Sequence, residues 1–140
     1  MWIYFINILL VSIAVLIHYE ALRQLSVNIP KFAIRPRLRV LVGVVGALCA
    51  HVLEIWLFGL GYHLMHHHAL FGQLVGQFSA TLMDSVYFSF ATYTSLGLGD
   101  ISPVGDIRFV AGLEALLGLV LITWSASFMF LEMTRYWTEE

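Results

Sequence analysis

Three long apolar stretches dominate the pattern of hydrophobic and polar positions along the chain. They cover residues 2–17, 40–65 and 109–131. A helix that rises about 1.5 Å per residue needs about 20 residues to cross a bilayer. The second and third stretches meet this length, and the first meets it if the helix continues as an amphipathic tail to residue 25. The pattern therefore predicts three membrane-spanning helices.

A fourth apolar segment, residues 86–93, is too short to cross a bilayer. Asp84 or Ser85 is placed to cap its start, because a side-chain oxygen there accepts from a free backbone N–H. A Gly-x-Gly-Asp run follows the segment. Irregular backbone at membrane depth is tolerated only inside protein or along a water-filled path. A short helix followed by Gly-rich extended chain, between two spans, predicts a re-entrant pore loop.

The composition agrees with a bilayer-embedded chain. Of its 140 residues 60% are hydrophobic and 11% charged, which is too little polar surface for a soluble domain. The formal net charge of −2 does not suggest a nucleic-acid partner, and a single cysteine, Cys49, excludes an intrachain disulfide. The first stretch has no basic residue before it and no small-x-small cleavage site after it, so we interpret it as a retained helix. We expect neither enzymatic activity nor an organic cofactor.

The basic residues predict the orientation of the chain in a cell membrane. Five of the seven lie between the first and second apolar stretches: Arg23, Lys31, Arg35, Arg37 and Arg39. Short loops rich in Lys and Arg stay in the cytoplasm, so the N-terminus lies outside, the C-terminus inside, and the pore loop opens outside. Aromatic residues near the span ends, Tyr62 among them, are typical of membrane interfaces.

Residues 92–100, Thr-Tyr-Thr-Ser-Leu-Gly-Leu-Gly-Asp, resemble the TVGYG pore signature of potassium channels. The resemblance begins at residue 85 and continues through the third apolar stretch. It implies an outer helix (residues 40–65), a pore helix (84–94), a selectivity filter (95–100) and an inner helix (107–135). These form a pore domain (40–137), which follows an extra N-terminal membrane helix (1–25) and a basic cytoplasmic linker (26–39). The minimal two-helix channels of this family have no counterpart of the first helix.

The resemblance assigns the ion path to one run of seven residues: Thr94, Ser95, Leu96, Gly97, Leu98, Gly99 and Asp100. Rings of backbone carbonyls replace the hydration shell of K⁺ in such filters. The resemblance assigns those carbonyls to Ser95, Leu96, Gly97 and Leu98, and the innermost site also to the Ser95 hydroxyl. Gly97 and Gly99 permit the left-handed dihedrals that stacked carbonyls require.

The number of pore loops predicts the assembly. A closed ring of carbonyls needs four loops, and the chain offers one loop without an internal repeat. A homotetramer with cyclic symmetry follows. The expected fold is therefore an all-α membrane protein with three transmembrane helices, a re-entrant pore helix and a filter, in a tetrameric ion-channel pore.

Several positions depart from the usual filter. Leu96 and Leu98 stand where the family has Val and Tyr, so the phenol that braces the filter is absent. Ala91 stands where some members place a carboxylate behind the filter, and Tyr87 where Trp often bonds the filter Asp. We expect a Tyr87–Asp100 hydrogen bond. A passive K⁺-selective channel is the leading prediction, and a weakly selective cation channel is the alternative.

The resemblance also implies roles on the inner helix. Gly118 falls at the gating hinge of the family, although close helix packing explains a membrane Gly equally well. Glu114 is expected behind the pore helix, bracing it, because an ionised carboxylate facing lipid is costly. The predicted cavity and inner gate are lined by Ile122, Ser125, Ala126 and Phe130.

Other ionisable residues are open to more than one interpretation. Glu54 lies deep in the second span with His51 on the same helix face, as a structural cluster or a functional site. Glu54 and Glu114 have similar predicted depths, so we expect them to share a buried network.

The histidines suggest two less favoured functions. His63, His66, His67 and His68 fall in the predicted outer loop, which is either a solvated turret or a sensor of protons or metal ions. A haem-binding membrane subunit is a further alternative, because two histidines on separate helices can hold haem. Against this, His18 and His51 have predicted depths about two helical turns apart. A non-conducting accessory protein with a pore fold is the last alternative.

Overall fold

The computed structural model describes residues 2–68 and 70–137. In chain order its elements are α1 (Trp2–Asn28), a 3-10 turn (Ile29–Lys31), α2 (Pro36–His66), β1 (Gln73–Gly76), α3 (Leu82–Tyr93), β2 (Ile101–Val104) and α4 (Ile107–Trp137). Three helices, α1, α2 and α4, are long and apolar enough to cross a membrane. The predicted all-α membrane architecture, with a short helix between the second and third spans, is confirmed.

Helix α1 runs through Asn28, beyond the predicted end of the first helix at residue 25. Its polar end stays helical because Glu20 bonds neighbours one turn ahead: Arg23 Nη2 donates at 2.8 Å and Gln24 Nε2 at 2.7 Å. Met1, which belonged to the predicted helix, lies outside the described residues.

The two other spans also extend beyond their predicted bounds. Helix α2 begins at Pro36, inside the predicted linker and ahead of residue 40. Proline suits the first position of a helix, because that position has no intrahelical acceptor for an N–H. Helix α4 begins at Ile107 as predicted and ends at Trp137, beyond the predicted residue 135.

The pore-loop helix α3 is capped by Thr81, so the prediction that Asp84 or Ser85 caps it is wrong. Thr81 Oγ1 accepts from the Asp84 amide at 3.1 Å. The Asp84 carboxylate in turn accepts from the Ser79 amide at 2.8 Å, and this bond lowers the pKa of Asp84. Asp84 therefore lies inside the first turn, where a carboxylate also interacts favourably with the helix dipole.

Two short strands that the sequence did not predict tie the segment before α3 to the segment after the filter. Strands β1 and β2 are antiparallel, with Gly76 opposite Ile101. Gly72 and Gly76 have φ values of 97° and 106°, and a Cβ at either would overlap a carbonyl oxygen of the opposite segment. Only glycine allows this close approach, so the glycines are the sequence feature that makes the strand pair possible.

The largest apolar core among the described residues lies behind the pore loop. Its central members come from all four helices, and include Ala14, Phe58, Tyr62, Phe88, Val110 and Leu121. Large apolar side chains cover the outer faces of α1, α2 and α4. Helices that are apolar on their outer faces as well as on their inner faces are suited to lipid surroundings. This packing holds α3 between α2 and α4 and presents the following residues, 94–100, on the exposed side.

Candidate functional site

From residue 95 to residue 99 the backbone is left-handed at every second residue. Ser95, Gly97 and Gly99 have φ values of 56°, 57° and 79°. Successive carbonyls of an ordinary extended chain point to opposite sides, whereas inverting the hand at alternate residues turns them toward the same side. The left-handed dihedrals expected for Gly97 and Gly99 are confirmed.

Ser95 is a left-handed residue of this loop that sequence reasoning missed. A left-handed conformation costs an L-residue other than glycine about 1–2 kcal/mol, so it occurs where surrounding contacts enforce it. The Ser95 amide donates to the Thr92 carbonyl at 2.9 Å, directly at the end of α3. A serine in the sequence does not predict this conformation, because serine is common both in helix caps and in turns.

Main-chain amides of the loop point back to α3. The amides of Leu96 and Gly97 both donate to the Ala91 carbonyl, at 2.9 and 3.3 Å. Ala91 lacks the carboxylate that some channels place at this position, and its backbone oxygen supplies an acceptor there. A peptide N–H and the carbonyl of the preceding residue point in opposite directions, so these two bonds direct the carbonyls of Ser95 and Leu96 away from α3. Thr94, the C-cap of α3, bonds Phe90 O through its hydroxyl at 2.7 Å.

The expected bond between Tyr87 and Asp100 is confirmed. The Tyr87 hydroxyl donates to Asp100 Oδ2 at 2.8 Å, and this bond raises the pKa of the Tyr87 phenol. The other carboxylate oxygen, Oδ1, accepts from the Ile101 amide at 3.1 Å. The Asp100 side chain thus links α3 to the start of β2, just after the last glycine of the loop.

Glu114 lies behind α3, where the resemblance placed it. It is fully buried on α4, accepts from the Tyr62 hydroxyl of α2, and is 2.5 Å from Ser89 Oγ of α3. Ser89 Oγ is also 2.8 Å from the Ile55 carbonyl. One carboxylate therefore joins three helices. Tyr62 was expected at the membrane interface, and its full burial as a partner of Glu114 corrects that expectation.

Glu54 belongs to a separate network, so the expectation that it shares one with Glu114 is wrong. Glu54 Oε1 is 2.9 Å from His18 Nδ1, and Oε2 accepts from the Tyr93 hydroxyl. His51 Nδ1 is 2.8 Å from that hydroxyl, and His51 Nε2 is 3.0 Å from Ser125 Oγ. We call these five residues, His18, His51, Glu54, Tyr93 and Ser125, the buried cluster. It connects α1, α2, α3 and α4.

The predicted difference in depth between His18 and His51 is wrong. Their ring centroids lie 5.0 Å apart. The error arises because α1 continues to Asn28, which puts His18 well inside the span rather than at its cytoplasmic end. The two rings are in contact and His18 is fully buried, which leaves no space between them for a planar macrocycle. The geometry therefore opposes the haem alternative.

Gly118 lies against the end of α3. A Cβ at this position would overlap the Tyr93 carbonyl oxygen, with the Tyr93 Cα at 3.2 Å. The close-packing interpretation of Gly118 therefore has a structural basis: this glycine lets α4 touch the backbone that leads into the loop.

The four residues predicted to line a cavity divide between two environments. Ser125 is 7% exposed and turns toward the buried cluster. Ile122 and Phe130 are 40% and 65% exposed, and Ala126 is exposed as well. A groove of about 400 Å³ runs beside α4, and Ile122, Ser125 and Ala126 line it together with Thr94.

The four clustered histidines only partly occupy a loop. His63 and His66 belong to the last turns of α2, which corrects their predicted place. His66 Nδ1 accepts from the Leu74 amide at 3.1 Å, and His67 Nδ1 is 2.7 Å from the His63 carbonyl. Over residues 2–68 and 70–137, the group of three or more metal-ligating side chains with converging atoms is His18, His51 and Glu54. The four histidines therefore do not form one site within a chain.

Comparison with known proteins finds a matching family model and a curated protein of similar sequence. A family model described as "Ion channel" matches residues 50–135, which include about half of α2, the pore loop and nearly all of α4. Protein LctB of Geobacillus stearothermophilus is 50% identical over 40 residues, which make up 29% of this chain and 30% of that protein. The match thus spans less than a third of that relative. No solved structure matches the chain.

Proposed function

The chain belongs to the ion channel family, and from this premise we propose that it is one subunit of a homotetrameric potassium-conducting pore. The predicted channel-pore family is confirmed by the match, and a multi-pass membrane protein follows from the three apolar helices. The proposal adds three things to this: the transported ion, the number of subunits and the orientation.

The observation that carries the proposal is the alternating hand of the backbone from Ser95 to Gly99. The amides that bond Ala91 direct the carbonyls of Ser95 and Leu96 away from α3, and the alternating hand extends the same arrangement to Gly97 and Leu98, so a cation can meet all four. Carbonyl oxygens substitute for the water shell of K⁺ as it enters the filter. The Ser95 hydroxyl adds the innermost oxygen. The Asp100–Tyr87 bond holds the outer end of the same segment.

The exposure of the loop in a single chain supports an assembly of several subunits. Leu96 and Leu98 are 65% and 55% exposed, although the loop sits between two apolar spans. A Cβ at Gly97 or Gly99 would meet nothing within 4 Å. Four copies around one axis would cover these side chains and close the ring of carbonyls. We orient the loop outward and the basic linker toward the cytoplasm, as the positive-inside rule requires.

A weakly selective cation pore is the second candidate, and Leu98 is the residue that favours it. Its aliphatic side chain has no hydrogen-bonding atom with which to hold the filter at a fixed width. The two candidates share the fold and the ion path. They differ in the ratio of K⁺ to Na⁺ permeability.

Gly97→Ala is expected to reduce K⁺ flux through reconstituted protein to the background of empty vesicles. The substitution meets no crowding, but it forces an L-residue to adopt a φ of 57°. The cost is about 1–2 kcal/mol per copy, and it recurs in each subunit around the ring. The flux should be measured in vesicles loaded with K⁺.

Gly43→Ala is the matched control for this experiment. A Cβ at position 43 would meet Ile29 Cδ1 at 3.5 Å, an ordinary contact, and Gly43 has helical backbone. It should conduct as the parent does. Parental flux from correctly folded Gly97→Ala protein would contradict the proposed ion path.

Tyr87→Phe is expected to make the conducting state decay severalfold faster during sustained activity. The variant keeps the ring and removes the hydroxyl that holds Asp100 at 2.8 Å. Time courses of single-channel or ensemble current measure the effect. Tyr4→Phe, which removes a phenol hydroxyl from the exposed face of α1, is the control. Equal decay in the parent and both variants would show that the bond does not support the filter.

A further inference from the structure

The buried cluster brings four potential metal ligands together inside the bundle. The ligating atoms of His18, His51 and Glu54 all lie within 4.8 Å of one another. The separations are 2.9 Å for His18 Nδ1 to Glu54 Oε1 and 3.3 Å for His51 Nδ1 to Glu54 Oε2. The Tyr93 hydroxyl is 2.8 Å from His51 Nδ1. Ligands about 2.0 Å from a tetrahedral Zn²⁺ are separated from one another by about 3.3 Å, so small shifts convert the cluster into a coordination shell.

The Ser125 hydroxyl lies beside the Nε2 atoms of both imidazoles, on the side away from Glu54. Its Oγ is 3.0 Å from His51 Nε2 and 3.3 Å from His18 Nε2. A hydroxyl oxygen has two lone pairs, so it can accept from both Nε2–H groups at once. Both Nδ1 lone pairs then face Glu54. Histidines that ligate metals usually donate their second ring N–H to such a polar partner.

Charge balance permits a dication at this depth. His18 and Glu54 are fully buried between membrane-spanning helices, where a net charge is costly. Two positive charges are balanced by the Glu54 carboxylate and a Tyr93 phenolate, with both imidazoles neutral. A neutral His18 that carries its proton on Nε2 requires a proton between its Nδ1 and Glu54 Oε1, which is 2.9 Å away. That proton and the Tyr93 hydroxyl proton are released to water as the ion binds. The occupied site is therefore neutral overall.

A route from outside the cluster leads to the same residues. The groove of about 400 Å³ beside α4 is lined by His51, Tyr93 and Ser125, and it continues past Thr94 and Ile122. The His51 side chain is 13% exposed, whereas that of His18 is completely enclosed. An ion arriving along the groove meets His51 first.

We propose that the buried cluster binds one divalent transition-metal ion of the zinc type, held by His18 Nδ1, His51 Nδ1, a Glu54 oxygen and the Tyr93 oxygen. Imidazole and carboxylate ligands in a four-coordinate shell suit Zn²⁺ and exclude the hard, oxygen-seeking Mg²⁺ and Ca²⁺. The ion fixes α1 and α2 to the end of α3. This site goes beyond the proposed ion conduction, since its occupancy does not depend on K⁺ selectivity.

The test measures binding of Zn²⁺ and Co²⁺ to the purified full chain in detergent. We expect one ion per chain by equilibrium dialysis and the intense visible bands of tetrahedral Co²⁺. We also expect a thermal midpoint raised by about 5 °C or more when free Zn²⁺ is about 100 times its Kd. His51→Gln and Glu54→Gln should each lower affinity by about 100-fold or more and abolish the Co²⁺ bands. The double variant H67N/H68N removes exposed histidines and should keep all three properties.

Two results would overturn the site. One is a parent protein that binds no stoichiometric ion and has no tetrahedral Co²⁺ bands. The other is binding that survives in His51→Gln and Glu54→Gln but is lost in H67N/H68N, which would assign the ion to the exterior. If Glu54→Gln fails to fold, His51→Gln decides the matter, because His51 is part-exposed and an amide is tolerated beside the groove. Circular dichroism of each variant confirms that helicity is retained.

Discussion

Gly118→Ala is expected to destabilise the protein by about 3 kcal/mol or more, at the upper end of the range for overpacking. The added Cβ would overlap the carbonyl oxygen of Tyr93, which is backbone and cannot rotate away. Helix α3 resists displacement because the Tyr93 side chain is bonded to Glu54. Alanine's higher helix propensity recovers only about 1 kcal/mol. Denaturant or thermal unfolding of the purified protein in detergent measures the change.

Gly43→Ala provides the comparison at a helical glycine with space for a methyl group. Its expected effect is neutral or slightly stabilising, because the new Cβ makes ordinary contacts with Ile29 and Met129. If Gly118→Ala is as stable as Gly43→Ala, the close approach of α4 to α3 is incorrect. If it is stable and alters open probability, the hinge interpretation gains support.

Glu114→Ala is expected to cost about 3–5 kcal/mol of folding free energy. The substitution leaves the buried Tyr62 hydroxyl without its acceptor and opens a cavity behind α3. The Ser89 hydroxyl keeps a partner in this variant, since it also lies 2.8 Å from the Ile55 carbonyl. Glu114→Gln keeps an oxygen acceptor and a similar volume, so it should lose about 1–2 kcal/mol. Unfolding midpoints of both variants, compared with the parent, measure the difference.

A double-mutant cycle with Tyr62→Phe separates the lost hydrogen bond from the cavity. In the Tyr62→Phe background no hydroxyl is stranded, so Glu114→Ala should cost less than it does in the parent, by about 1 kcal/mol or more. Strictly additive losses would show that Tyr62 and Glu114 do not interact energetically, and the bracing role of Glu114 would then rest on Ser89 alone.

The sequence predicted those features that depend on local pattern. Three apolar stretches predict three spans because the bilayer sets a minimum length for each. The Tyr87–Asp100 bond was also predictable, since both residues belong to one motif whose helix and loop fix their separation. The same holds for the left-handed dihedrals at Gly97 and Gly99.

Features that depend on how distant segments cross were not predictable. His18 and Glu54 are 36 positions apart, and their contact depends on where α1 crosses α2. Neither helix has a strongly one-sided apolar pattern that would reveal its buried face, because lipid accepts the same side chains as the core does. The strand pair β1–β2 was missed because each strand has only four residues and no alternating pattern. Ser95 was missed because its left-handed conformation is imposed by the end of α3.

Tyr93 links α4, the buried cluster and the residues that follow α3. Its carbonyl touches Gly118, its hydroxyl belongs to the buried cluster, and Ser95, two residues later, begins the proposed filter. Helix α1 is therefore linked to the last residue of α3 by the hydrogen bonds of Glu54 with His18 and with Tyr93.

The reversal potential of the purified, reconstituted protein tests the central claim most directly. A planar bilayer is prepared with K⁺ on one side and an equal concentration of Na⁺ on the other, and the voltage of zero current is measured. A tetrameric pore with a carbonyl filter predicts a reversal potential displaced strongly toward the K⁺ equilibrium potential. A reversal potential near zero would contradict K⁺ selectivity, and an absence of current from correctly folded protein would contradict conduction itself.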